Sequence, residues 1–200
     1  MQFERARTVG GLSALLSATL VACSSAVPTS DPGVRAVGEH VRLYDGPELQ
    51  VALGSAHASR HLGEEILIIG VSLAGSMDGA RTTVARSGIR VQTPDRRRIA
   101  VMTQSEYRRL YGQLLGSSRE AELMAPTLVG TGAARRPCRD WFFADPTDGF
   151  ARDVLYISSF EACDGLLYFQ IPGGVQPGRW ELELRLEESV VEVPFVLDAP

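Results

Sequence analysis

The C-terminal end of the chain, residues 180–197, alternates with a period of two, and that pattern restricts its fold more than any other feature. Trp180, Leu182, Leu184 and Leu186 are separated by Glu181, Glu183 and Arg185. After Glu187-Glu188-Ser189, a second run sets Val191, Val193, Phe195 and Val196-Leu197 against Glu192 and Pro194. Successive side chains of a strand point to opposite faces, so each run has one apolar face and one polar face. Two such runs joined by a short polar turn predict a β-hairpin with one face on a core. Pro194 has no N–H to donate, which suits an edge strand.

The upstream sequence carries the same signature in shorter pieces. Residues 41–44 and 49–53 flank Asp45-Gly46-Pro47, a turn signal. Residues 65–73 (EILIIGVSL) are almost continuously apolar, as in a central strand buried on both faces. Residues 82–85, 89–92, 98–102 and 166–171 are further strand candidates, and Pro94-Asp95 marks a second turn. One segment departs from the pattern. Tyr107, Leu110, Tyr111 and Leu114 fall at i, i+3, i+4 and i+7, with Ser105 placed to cap, which predicts one short amphipathic helix. Residues 116–137 follow, rich in Gly, Ser, Thr, Ala and Pro, and read as a long irregular insertion with a weak helical patch at 120–124. Insertions of that length in a compact domain are either functional or mobile. Many short strands with one helix predict a mainly β chain, an antiparallel β-sandwich.

Composition narrows the function. With 44% hydrophobic and 22% charged residues in 200, the chain has enough apolar surface to fold. The net charge of −4 gives no basic footprint for nucleic acid. The basic residues are all Arg, with no Lys anywhere. A P-loop lysine, a Schiff-base lysine and a Ser-x-x-Lys nucleophile are therefore excluded. No Gly-x-Ser-x-Gly elbow is present, and only His40, His57 and His61 could act as a general base. The expectation is a protein without enzymatic activity and without a cofactor.

Two resemblances add to this reading. The closing hairpin, PGRWELELRL followed by VEVPFVL, is similar to the last two strands of bacterial immunoglobulin-like modules, which implies an immunoglobulin-like sandwich and carries no function. At the other end, Arg5 and Arg7 precede a short apolar stretch at 9–21, too short to cross a bilayer of ~30 Å as a helix. It runs into Leu20-Val21-Ala22-Cys23, which resembles the lipobox of bacterial lipoproteins. That resemblance implies a signal peptide over 1–22 and diacylglycerol on the Cys23 thiol. Ser24, in place of an inner-membrane-retaining Asp, points to an outer membrane facing the periplasm where the cell has one. At about 0.8 kcal/mol per buried methylene, two or three acyl chains hold almost permanently. Residues 23–37 then read as a flexible tether and 38–200 as the folded domain.

With Cys23 given to lipid, Cys138 and Cys163 remain, and an exported chain with two such cysteines is expected to pair them. Between them lies CRDWFFADPTDGFARD. Its Asp140, Asp145, Asp148 and Asp153 could offer oxygen to calcium, but EF-hand spacing fails and ordinary turn chemistry is the expectation. In a strand, Trp141 and Phe143 share one face and Phe142 takes the other. At least one face of this triplet is expected in the core, with Trp141 near enough to Cys138 to pack on the disulfide, and Phe142 is the candidate exposed member, with Asp145 and Asp148 as possible ligand contacts beside it. His57 and His61 stand four apart and on a helix would share a face. Gly54 and Gly63 bracket them closely, so a polar inter-strand loop with no metal is expected. Arg96-Arg97-Arg98 and Arg135-Arg136 are the basic clusters, able to bind phosphate or carboxylate, and the three-residue run at its hairpin turn is expected to be solvated. Taken together, the expectation is a lipid-anchored envelope protein binding an envelope protein partner through 116–137. The alternative is a small-ligand or glycan binder using Phe142 and the aspartate-rich loop, with a hydrolase third.

Overall fold

The computed structural model of the chain describes residues 33–77, 81–129, 135–147 and 149–198. The expected signal peptide, Cys23 and Asp148 lie outside the described residues. In chain order the strands are β1 (Val34–Val37), β2 (Val41–Asp45), β3 (Leu49–Gly54), β4 (Ile66–Gly75), β5 (Thr82–Ala85), β6 (Ile89–Gln92), β7 (Arg98–Ala100), β8 (Arg136–Pro137), β9 (Val154–Ile157), β10 (Glu161–Gln170), β11 (Gly178–Arg185) and β12 (Val190–Leu197). Helix α1 (Ala56–Arg60) lies between β3 and β4, and α2 (Gln104–Met124) between β7 and β8.

The protein is mainly β, as its alternation predicts. A six-stranded sheet in the order β1-β2-β3-β4-β10-β8 packs against a four-stranded sheet in the order β12-β11-β6-β7, and β5 pairs with β9. The closing hairpin is β11–β12, with Trp180 opposite Phe195 and Leu182 opposite Val193. Its apolar face is the one buried, and Pro194 does lie on an edge strand.

The apolar run at β4 is buried on both faces because each face meets a different layer. Leu67, Ile69, Val71 and Leu73 point inward, where with Phe169 of β10 they meet Ile89, Val91, Trp180, Leu182 and Phe195 of the smaller sheet. Ile68 points outward onto α2, and Ala74 points outward with Ala52 and Ala162. The core between the sheets is almost wholly hydrocarbon, the non-directional kind of packing that period-two sequences specify.

Three local expectations are corrected. Helix α2 spans 21 residues and extends well into the segment read as an irregular insertion. Its N-cap is Thr103, not Ser105: the Thr103 hydroxyl accepts from the Glu106 N–H while the Glu106 carboxylate accepts from the Thr103 N–H. That reciprocal pair satisfies two donors the first helical turn leaves open. Residues 34–37, read as the end of a tether, form β1 on the edge of the large sheet, antiparallel to β2.

The chain leaving α2 lies flat on the outer face of the large sheet, and glycines make this possible. A Cβ on Gly70 would stand 2.7 Å from the Cβ of Ala125, and one on Gly54 would stand 2.6 Å from Cδ of Pro126. Polar bonds then fix the segment: the Leu128 N–H donates to Ser72 Oγ at 2.9 Å, and Thr127 Oγ1 donates to Asp164 Oδ2 at 2.6 Å. The Ser72 hydroxyl itself donates to the other Asp164 oxygen.

Candidate functional site

The outer face of the large sheet gathers most of the side chains with chemistry to offer. Helix α2 approaches it through Tyr107, Leu114, Ser118 and Ala121. These meet Ile68, Leu166 and Tyr168 of β4 and β10. Ser118 and the Tyr168 hydroxyl, 3.0 Å apart, form a hydrogen bond inside this contact. Burial pushes the Tyr168 phenol well above the ordinary tyrosine range, so it stays a neutral donor or acceptor. Tyr107, Phe143 and Tyr168 form an aromatic triangle, with ring centroids 4.9 to 5.2 Å apart.

Residues 135–147 form a strap along the β10 edge of the large sheet, bordering this face. The Cys138–Cys163 disulfide ties the strap to β10, with Cα atoms 4.6 Å apart and 25 positions between them in sequence. The Cys138 N–H donates to the Ala162 carbonyl at 2.8 Å. Trp141 then lies across Gly165, where any Cβ would fall 2.1 Å from the indole, and its Nε1–H donates to the Leu166 carbonyl at 3.0 Å. At the far end, Gln104 Nε2 donates to the Ala144 carbonyl at 2.9 Å, joining the strap to the start of α2.

The alternation expected of Trp141, Phe142 and Phe143 is present, but the faces are reversed. Phe142 is 0% exposed and belongs to the core between the sheets, so it offers no platform to a ligand. Trp141 and Phe143 are the half-buried members. Asp145 is placed by three donors: Tyr111 through its hydroxyl, and Thr147 through its N–H at 2.8 Å and its hydroxyl at 2.6 Å. The carboxylate accepting its proton raises the Tyr111 phenol above its usual range.

Between α2 and the strap lies a cleft of about 390 Å³, whose walls include Tyr111, Ser118, Arg119, Trp141 and Asp145. It combines aromatic surface with a hydroxyl, a guanidinium and a carboxylate. A site of this make-up holds a polar molecule by its hydroxyls and stacks one apolar face.

Among the described residues, the other aspartates of this segment are in ion pairs. Asp140 pairs with Arg152 at 3.1 Å, and Asp153 pairs with Arg86. In the first arginine cluster, Arg97 pairs with Asp95 at 2.7 Å and Arg98 with Glu183 at 3.5 Å. In the second, Arg135 is buried, and its guanidinium donates to the Ser159 carbonyl and to Gln50.

The histidines differ from their expected loop. His57 lies within α1, His61 immediately follows it, and their rings stack 4.1 Å apart. His57 is 3% exposed, and neither of its ring nitrogens has a partner. Burial and the neighbouring His61 lower its pKa, so the ring is held neutral. His61 Nδ1 lies 3.0 Å from Glu64 Oε1, and His61 Nε2 lies 3.4 Å from Glu120 Oε2 of α2. Nothing near His57 in the sequence signals Glu120, which only the packing of α1 on α2 brings in. Compared with protein-family models, with curated proteins and with solved structures, the chain matches none.

Proposed function

We propose that this chain is an exported, lipid-anchored protein of the bacterial cell envelope that acts as a non-catalytic binding module. Its ligand occupies the cleft between α2 and the strap. One observation carries the reading. The segment at 116–137 contributes Ser118 and Arg119 to this cleft, and the aspartate-rich segment contributes Trp141 and Asp145. Two regions that look separate in sequence thus furnish opposite walls of one site. A volume of about 390 Å³ with aromatic walls and mixed hydrogen-bonding groups suits a sugar-sized polar ligand. The lipobox-like Leu20-Val21-Ala22-Cys23 supports anchoring through Cys23, and the Cys138–Cys163 disulfide supports an oxidising compartment. The immunoglobulin-like kinship of the closing hairpin is part of the same reading.

A second reading, assembly with an envelope protein, is favoured by Leu123, which α2 presents to solvent at 89% exposure.

The cleft is tested by titrating the full chain with fragments of envelope glycan while following tryptophan emission. Trp180 is buried in the core, so a ligand-dependent change reports on Trp141. Tyr111→Phe and Asp145→Asn should each weaken a saturable response by at least about tenfold, near 1.4 kcal/mol. A response untouched by both changes removes the cleft from the proposal. No response, with one protein captured reproducibly by cross-linking in cells, moves it to the assembly reading. The anchor has its own test: Cys23→Ser should abolish incorporation of a labelled fatty acid, and labelling that persists rejects it.

A further inference from the structure

We propose that His57, His61 and Glu120 bind one divalent transition-metal ion of the Zn²⁺ class, clamping α1 to α2 at a site separate from the cleft. Each residue offers one ligand atom, and these atoms all lie within 4.8 Å of one another. Two imidazoles and a carboxylate suit Zn²⁺, and also Co²⁺ or Ni²⁺, rather than Ca²⁺ or Mg²⁺, which prefer all-oxygen shells.

Three features of the geometry point to an ion. The first is spacing: two ligand atoms about 2.1 Å from a tetrahedral ion stand about 3.4 Å apart. His61 Nε2 and Glu120 Oε2 are separated by 3.4 Å. His57 has to close in from its stacked position, within the 4.8 Å that bounds all three ligand atoms.

The second is the surroundings of His61. Its Nδ1 lies 3.0 Å from Glu64 Oε1, where an N–H would donate to the carboxylate. With the proton on Nδ1, the Nε2 lone pair faces Glu120. Carboxylate, imidazole and metal in that order form the arrangement that orients and strengthens histidine ligands. The opposite oxygen, Glu120 Oε1, is 3.9 Å from the Arg60 guanidinium, which leaves Oε2 turned toward the histidines.

The third is independent of both. His57 is buried and both its ring nitrogens lack a hydrogen-bond partner. A buried polar atom without a partner is costly, and coordination supplies one. Without an ion, a neutral buried imidazole stacked on a second histidine gains little from its position. With one, the helical i, i+4 spacing has a purpose.

Three protein ligands leave a fourth position open. His61 and Glu120 are only partly buried, so that position is reachable from solvent by water or by a donor from a partner molecule.

The test uses the full chain, free of any polyhistidine tag and stripped with chelator, titrated calorimetrically with Zn²⁺. One ion per chain is expected, with micromolar affinity or tighter. His61→Ala and Glu120→Gln should each weaken it by roughly a hundredfold or more, and Glu64→Gln by roughly 10- to 100-fold. His40→Ala should leave it unchanged. Because His57→Ala empties a buried position, the partly exposed Glu120→Gln is the deciding variant. Co²⁺ should give the intense visible bands of a four-coordinate ion, and these should vanish in Glu120→Gln. Absence of saturable Zn²⁺ binding overturns the site. Binding that survives both His61→Ala and Glu120→Gln also overturns it, since the ion then sits elsewhere.

Discussion

The two faces of the six-stranded sheet are finished in different ways. On the inner face, Leu67, Ile69, Val71 and Phe169 meet the smaller sheet through hydrocarbon alone. On the outer face, contact depends on absent side chains and single polar bonds: Gly54 and Gly70 beneath the chain leaving α2, and Ser118 on Tyr168. Apolar area is forgiving about geometry, whereas a hydrogen bond or a 2.7 Å approach is not. The inner face therefore supplies stability, and the outer face supplies shape. Both candidate sites, the cleft and the histidine cluster, adjoin the side where shape is specified.

The comparison is sharpest at two neighbours in β10. Phe169 faces inward and is fully buried, and Phe169→Ala should cost about 3–5 kcal/mol in denaturant unfolding. Tyr168 faces outward, and Tyr168→Phe removes the hydroxyl that bonds to Ser118 and interacts with Tyr107. A loss near 1–2 kcal/mol is expected there. Equal costs at the two positions would break the distinction. The disulfide falls between them. Its closed loop of about 25 residues should contribute roughly 3 kcal/mol, so reduction, or Cys138→Ser with Cys163→Ser, should lower stability by that order. Because that bond anchors the strap, its loss should also weaken whatever the cleft binds.

Gly70→Ala tests the outer face directly. The added methyl meets Ala125 at 2.7 Å, and the neighbour is backbone-borne, so the segment after α2 has to lift. A destabilisation of about 1–3 kcal/mol is expected, with the largest gain in proteolysis near 125–129. Wild-type cutting at that segment would mean that the glycines are not what lets it lie flat.

The same division explains what was legible in the sequence. Hydrophobic period reports burial, so β4, β11, β12 and the start of α2 could be read from it. It fails where packing is close, because close packing uses small residues. Past Leu114, α2 turns its Ser118 and Ala121 inward, and that stretch looks like loop composition. At Trp141–Phe143 the alternation was readable, but not which face met the core, since that depends on Gly165 making room for the indole. The edge strand β1 is held to β2 by main-chain pairing that leaves little mark on side-chain pattern. His57 and Glu120 meet only through the packing of α1 on α2, and no local rule could have joined them.

The smallest effect belongs to the cap of α2, and it separates the two faces by their response to acid. Bonds from the Thr103 N–H and hydroxyl hold the Glu106 carboxyl below its ordinary value of 4.5. A carboxyl depressed in the folded state contributes stability that is complete above its unfolded pKa. That contribution is lost as pH falls through the folded value. Thr103→Ala should cost about 1 kcal/mol at neutral pH by removing the hydroxyl half of the box. Glu106→Gln keeps an acceptor but cannot titrate. Between pH 7 and pH 3 its stability should therefore fall less than that of the wild-type chain, whereas Phe169→Ala should run parallel to wild type throughout. If Glu106→Gln and Phe169→Ala show the same acid slope, the capping box adds nothing beyond helix propensity. The docking of α2 would then rest on its apolar contacts with Ile68, Leu166 and Tyr168 alone.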